Sequence, residues 1–429
     1  MLRAALMLLA AIAAGCAPVA FKADAGGTIA PPPPRSTVGG GPAGGSDGGA
    51  SDAGPPPAVP GGSITVPPVC APSSEVQLTT ADPLSGFAWQ WDGGGLVVVW
   101  ATASPSGGGS VHVARFALDG TPLMPATLIE SLSDPVTLPT LARVGSSWIV
   151  AWQQGKPPGL SVRAHVLDAS LTPTGVGSTL IASAASEMRP VLAKSPGGKA
   201  ALSWMTTNGT TPSVWVAYVD STLAISNATQ ISATHAASFP WLSGDGTSLA
   251  LVYSDDRTGV LSPRWTALGS NLIASGDNPL RTATTGDGKL SRMVRTSTGW
   301  LAAWEDTRSN DVDEIYLAIT DQNGVRLNET LVEEPNTGDA NWPNMAWAND
   351  RAAVVYYQFR ISSPQIYLSF VDGTGARVGG GADVQVSNAP QGAWARYPDV
   401  AWTGSSFAVA WTDTRSGTPQ LFLSKVLCP

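Results

Sequence analysis

Charge is scarce in this 429-residue chain, since Asp, Glu, Lys and Arg together make only 13% of it. Long helices and coiled coils draw heavily on those residues, so a helical architecture is disfavoured. Basic runs are missing as well. Lys and Arg number 24 against 32 acids, a formal charge of −8, and without clustered cations no nucleic-acid surface is expected. Histidine occurs three times, as His112, His165 and His235, scattered and without a cysteine or closely spaced carboxylate partner, so no zinc site is expected. There is no Gly-x-Ser-x-Gly elbow before a helix, no phosphate-binding glycine loop in a β-α context and no EF-hand spacing of acids. The sequence therefore offers no catalytic set, metal or cofactor. Beyond the first twenty residues no run approaches the roughly 20 apolar residues of a membrane-spanning helix.

Glycine and proline are abundant, at 47 and 35 residues, and Trp, at 16, outnumbers both Tyr and Phe. That composition fits many short strands joined by tight turns. The arrangement becomes plain at Phe407-Ala-Val-Ala-Trp411, because six similar runs precede it: Leu96 to Trp100, Trp148 to Trp152, Ala200 to Trp204, Leu249 to Tyr253, Trp300 to Trp304 and Ala352 to Tyr356. Successive anchor aromatics are 52, 52, 49, 51, 52 and 55 residues apart. A period near 50 marks a propeller or a solenoid.

Each unit holds more than its anchor strand. A proline stands 13 or 14 residues before the aromatic in five units, at Pro139, Pro190, Pro240, Pro343 and Pro398, and is expected to open a first strand. An alternating strand follows the anchor, as in Ile315 to Ile319 and Ile366 to Phe370, and a fourth resembles Asp383-Val-Gln-Val-Ser387. Seven units of four antiparallel strands predict a seven-bladed β-propeller over residues 69–429, with six or eight blades as the competing counts. The last unit stops after its third strand, and Glu75-Val-Gln-Leu-Thr-Thr80 is expected to supply the missing fourth. Cys70 and Cys428 flank that seam, where antiparallel neighbours bring them together, so a disulfide is expected.

Residues 1–15 read as an export signal, with Arg3 followed by an apolar run from Ala4 to Ala14. Leu9 to Cys16 resembles the bacterial lipobox, which implies an acylated Cys16 as the membrane anchor. Residues 16–68 are rich in Gly, Pro, Ala, Ser and Asp and have almost nothing to bury, so they read as a disordered tether. About 50 such residues reach on the order of 40 Å. A lipid-anchored protein of the bacterial cell envelope is the expectation, on the outer membrane in preference to the inner, and monomeric.

Side-chain chemistry concentrates after the anchor. Acid at plus two and Arg at plus four recur as Asp255 and Arg257, Asp306 and Arg308, and Asp413 and Arg415, with Gln358 and Arg360 in the sixth unit. Residues two apart share a strand face, so these pairs are expected to brace turns and blade edges, with a polar ligand-facing arc as the competing reading. Trp342, Trp394 and Arg396 lie in connections between units and are candidates for a carbohydrate-binding rim, with packing between blades as the favoured reading for Trp342 and Tyr397, each of which precedes a strand-opening proline. From about Cys70 onward the chain resembles the repeat propellers of bacterial exported lipoproteins, through Trp304-Glu-Asp306-Thr-Arg308 and Glu314-Ile-Tyr316. It lacks the Ser-x-Asp-x-Gly-x-x-Trp box of sialidases and the Gly-His to Trp-Asp signature of intracellular propellers. The resemblance implies architecture, since one fold hosts many functions. Two functions are carried forward: a non-enzymatic module or scaffold that binds a protein, peptide or glycan, and a glycan hydrolase or lyase with acids at the ring's centre. Symmetry separates them. Repeated residues speak for structure, and unrepeated ones converging on one spot speak for a site.

Overall fold

The computed structural model describes residues 70–428, except for positions 81, 105, 184–186, 209–210, 233, 310–311, 336, 349, 361–362 and 379–380. The expected export signal 1–15, Cys16 and the tether to residue 68 lie outside the described residues. Seven separate antiparallel sheets make up the described residues. Blades 1 to 6 cover residues 84–132, 136–183, 191–230, 237–279, 288–331 and 340–385, with four strands each in chain order. Blade 7 comprises Ala395–Trp402, Phe407–Asp413 and Gln420–Leu427, completed by N-terminal strands. The first strands of successive blades contact one another around the ring, including the first strand of blade 7 against that of blade 1.

The apolar anchor strands form these sheets because they are buried on both faces, as a blade packed between two others requires. Leu249–Asp255 and Phe407–Asp413 are buried throughout. All seven anchor aromatics are buried, and each contributes on the order of 3 kcal/mol by leaving water. The core consists of clusters between neighbouring sheets: Leu301, Ala303 and Ile315 of blade 5 pack with Val354 and Tyr356 of blade 6. Leu84 and Val98 of blade 1 pack in the same way with Ala408 and Leu423 of blade 7.

The seam follows the expected plan. Val76 and Gln77 pair with Leu423 and Phe422, and Ala71 and Pro72 pair with Leu427 and Val426. A disulfide joins Cys70 to Cys428, 358 residues away in sequence. The Thr79 hydroxyl donates to Gln420 Oε1 at 2.7 Å and accepts from Leu421 N at 2.9 Å.

The prolines differ from expectation. Pro139, Pro240, Pro343 and Pro398 lie inside their first strands rather than opening them, and Pro190 immediately precedes Val191–Lys194. Each of those four strands shifts register at its proline. The first strand is a blade's inner edge, so a missing N–H there costs no ladder bond, and a bulge is where proline is tolerated within a sheet.

Candidate functional site

The residue before each of the five repeated prolines has a left-handed backbone. Leu138, Arg189, Phe239, Trp342 and Tyr397 have φ between 44° and 56°, and Leu290 of blade 5, which lacks the proline, has φ 53°. Such conformations disfavour side chains at a cost on the order of 1 kcal/mol or more each, and they cluster where a structure must aim a group. In blade 1 the same place is taken by Gly86, where an added Cβ would lie 3.0 Å from Pro139 Cδ. The bulges thus turn one residue per blade toward the ring's axis, with a second two positions later. Together they line a central cavity of about 150 Å³.

The cavity wall is uneven. Blades 1 to 3 supply Gly86, Ala88, Leu138, Thr140, Arg189 and Val191, whereas blades 4 to 7 supply Phe239 with Trp241, Leu290 with Arg292, Trp342 with Asn344, and Tyr397 with Asp399. Arg189 ion-pairs with Glu187 at 2.7 Å and lies over Phe239 at 4.9 Å. Arg292, only 9% exposed, lies over Trp241 at 4.1 Å and 5.7 Å from the Trp342 ring. Its Nη1 donates to the Ser291 carbonyl at 3.1 Å, while its Nε meets no hydrogen-bond partner among the described residues. Burial and the neighbouring Arg189 charge lower this guanidinium to about 10. Asp399 accepts from Val400 N at 2.7 Å and from the Trp89 indole, and burial raises its carboxyl to about 6.

Behind the wall, Glu305 accepts from the backbone N–H of Trp342 at 2.6 Å and so fixes one of the bulges. Burial and the nearby Asp313 raise it to about 7, against the pull of Lys289, 3.8 Å away, and of Arg292. Aromatic rings connect the wall to the surface. Trp342 meets Tyr397 edge-on at 4.9 Å, Tyr397 meets Tyr357 at 6.1 Å, and Tyr357 meets Phe359 at 6.1 Å. Phe359 is 38% exposed.

Of the residues singled out in the sequence, Trp342 lines the cavity, and Trp394 and Arg396 stand beside it. Tyr397 is 6.3 Å from Trp394, and Arg396 lies 5.4 to 5.7 Å from the rings of Trp394, Phe359 and Tyr357. The acid and Arg pairs are elsewhere, each bonded within its own blade. Arg257 Nε donates to Asp255 at 2.7 Å and the same side chain reaches Asp277. Asp306 accepts from Arg308 at 2.6 and 2.9 Å, from Arg281 at 2.7 Å and from the Trp304 indole at 2.7 Å. Burial would raise that carboxyl, but these bonds hold it well below the usual range. Arg308 continues to Glu329 at 2.5 Å, and Arg360 binds Gln358 at 2.6 Å, Glu334 at 2.9 Å and Asp383. Arg415 binds Asp413 at 2.6 Å and Glu75. Arg308, Arg360 and Arg415 also lie over third-strand rings, Tyr316, Tyr367 and Phe422, at 3.7, 4.0 and 4.7 Å. The four arginines therefore run from the second strand toward the outer edge of their blades, not toward the axis.

Sequence reasoning overlooked Arg189, Arg292, Asp399, Trp241 and Glu305. A signal was present for part of this set. The residue before the repeated proline changes from Leu to Arg, Phe, Trp and Tyr within a constant frame, and a position that varies inside an exact repeat is free of the repeat's structural demand.

No family model and no curated protein matches the chain. Among solved structures it is similar to polysaccharide lyase Uly1, with TM-score 0.49 and 8% identity over 80% of this chain and 90% of that one. It is also similar to a subtype N10 neuraminidase-like protein of A/little yellow-shouldered bat/Guatemala, with TM-score 0.43 and 11% identity over 68% and 94%. A third likeness is the GH43 endo-arabinanase from Bacillus licheniformis, with TM-score 0.33 and 12% identity over 67% and 92%. These likenesses concern the fold, at identities that transfer no activity.

Proposed function

We propose that this propeller is a binding module that takes the end of an elongated ligand, a peptide or a glycan, into its central cavity. The observation that supports it is the break in symmetry. Arg189, Arg292 and Asp399 each occur once around a ring whose other features repeat, and an aromatic run leads to them from exposed Phe359. At about 150 Å³ the cavity is below the usual size for a whole small-molecule ligand, so it suits one terminal group while the rim rings carry the rest. Capture of immobilised peptides and glycans by the purified chain tests this: Trp342→Ala should abolish capture while blade secondary structure stays unchanged. Capture indifferent to replacement of Trp342, Arg189 and Asp399 would end the reading.

A second reading, glycan hydrolysis or elimination, has one specific support, the Asp399 carboxyl at about 6 inside the cavity, where an acid is poised to exchange a proton near neutral pH. Turnover of chromogenic glycosides that disappears in Asp399→Asn would favour it over binding alone. The chain's address is part of the proposal. Acylated Cys16 anchors the propeller in a bacterial envelope, and fatty-acid labelling that persists in Cys16→Ser would refute it.

A further inference from the structure

Resting on the cavity-binding reading above, the chemistry of the cavity wall identifies what the entering group is. Arg292 is buried, 4.1 Å from the centre of the Trp241 ring, and one of its donors, Nε, is unpaired among the described residues. A buried donor left unpaired is costly, and an arginine is built to present an edge of two parallel donors to a carboxylate. Asp399 lines the same cavity and is close enough for the two charges to influence each other, yet they form no ion pair among the described residues. Asp399 keeps free acceptor capacity, because a carboxylate takes about four hydrogen bonds and among the described residues only Val400 N and the Trp89 indole supply them. An apolar group would leave both charges unanswered, and a lone cation would face two guanidiniums, those of Arg189 and Arg292. A phosphate or sulfate would meet only one guanidinium that is not already paired, since Arg189 is held by Glu187.

We propose that the cavity binds a carboxylate carrying a hydrogen-bond donor on the adjacent carbon, with Arg292 holding the carboxylate, Asp399 accepting from the donor, and Trp241 and Trp342 enclosing the carbon frame. The donor is a hydroxyl in a hydroxy acid or acidic sugar and an ammonium in an amino acid. No bond is made or broken.

Five probes test this on the purified full-length chain by saturation-transfer NMR and thermal shift: L-lactate, L-alanine, propionate, lactamide, and sodium chloride at matched ionic strength. Lactate or alanine should bind at least tenfold more tightly than lactamide, and which of the two binds better identifies the donor. Propionate should fall between them, and chloride should give no shift. Arg292→Gln should lose at least tenfold in affinity for the preferred acid, Arg292→Lys should retain part of it, and Asp399→Asn should weaken lactate or alanine without affecting propionate. Arg351→Ala, at a strand end away from the cavity and half-buried beside Asp350, should leave affinity unchanged. Lactamide binding as tightly as lactate would overturn the proposal without needing any variant, as would an unchanged affinity in folded Arg292→Gln. If none of the probes binds while Trp342→Ala still abolishes peptide or glycan capture, the carboxylate inference falls and the cavity reading stands. If capture is also indifferent to Trp342, both fall.

Discussion

The outer parts of the blades and the centre of the ring use arginine in opposite ways. Arg308 lies over Tyr316, and its charge is answered by Asp306 and Glu329; Arg360 and Arg415 repeat that arrangement with other acids and rings. Arg292 also lies over a ring, Trp241, but no acid pairs with it among the described residues. The outer arginines form a closed set of interactions, and repetition shows that the set serves the blade. Of the two inner arginines, Arg189 is paired with Glu187, whereas Arg292 is left incomplete. In a repeat fold, a residue that breaks the pattern and lacks a partner is the better guide to a ligand than the most prominent motif.

That contrast can be broken in several places, the largest effect first. The outer seam should be the most costly to open. Joining Cys70 to Cys428 restricts a loop of more than 350 residues in the unfolded chain, worth on the order of 5 kcal/mol by loop entropy. Reductant should therefore lower the melting temperature markedly, and an unchanged midpoint would deny the staple its role.

The next test compares a complete arginine set with the incomplete one. The Arg281 and Asp306 side chains are fully buried against each other, and removing one partner of a buried pair typically costs about 3–5 kcal/mol. Asp306→Ala should show that loss in urea unfolding. Arg292→Met, which removes a charge with no paired acid, should cost much less or even stabilise the chain. Equal losses would erase the distinction.

Glu305 sharpens the contrast through pH. Its carboxyl is raised from 4.5 to about 7 in the folded chain, so the folded state binds more protons than the unfolded one between those values. Its contribution is fully present below about 4.5 and is lost as pH rises through about 7, a change on the order of 3 kcal/mol at most. Glu305→Gln should remove its own part of the decline and make that stretch of the stability profile shallower, leaving the declines due to Glu333, raised by burial to about 8, and to Asp399. A slope identical to the parent's would show that Glu305 titrates normally.

Arg308→Ala is the mildest case. It removes bonds to Asp306 and Glu329 and the stacking on Tyr316, and should cost about 1–2 kcal/mol while ligand capture is unchanged. Loss of capture without loss of stability would return the site to the outer arc.

The blades were legible in the sequence because burial between sheets constrains every copy alike, from Trp100 to Trp411. The seam was legible for the same reason, since residues 76–77 had to match the fourth strand of the other blades. The cavity was only partly so. Trp342 stood out as an aromatic, but nothing in the local pattern announced that a residue before proline would adopt a left-handed conformation and face the axis. Arg292 was hidden further, because blade 5 has Ser291 where most blades have proline. Facing across a ring is a relation among residues some 50 positions apart, and periodicity records the frame rather than what the frame encloses.

The lock between Cys70 and Cys428 has a mechanical consequence. A pull on the chain ahead of Cys70 would otherwise act on the short outer strands at 71–72 and 76–77, opening their hydrogen bonds one after another like a zip. With the disulfide in place the load passes at Cys70 into the last strand, Gln420–Leu427, which is held along its length by Phe407–Asp413. Force is then borne in shear by many bonds at once, and the ring resists being unravelled from its N-terminal end.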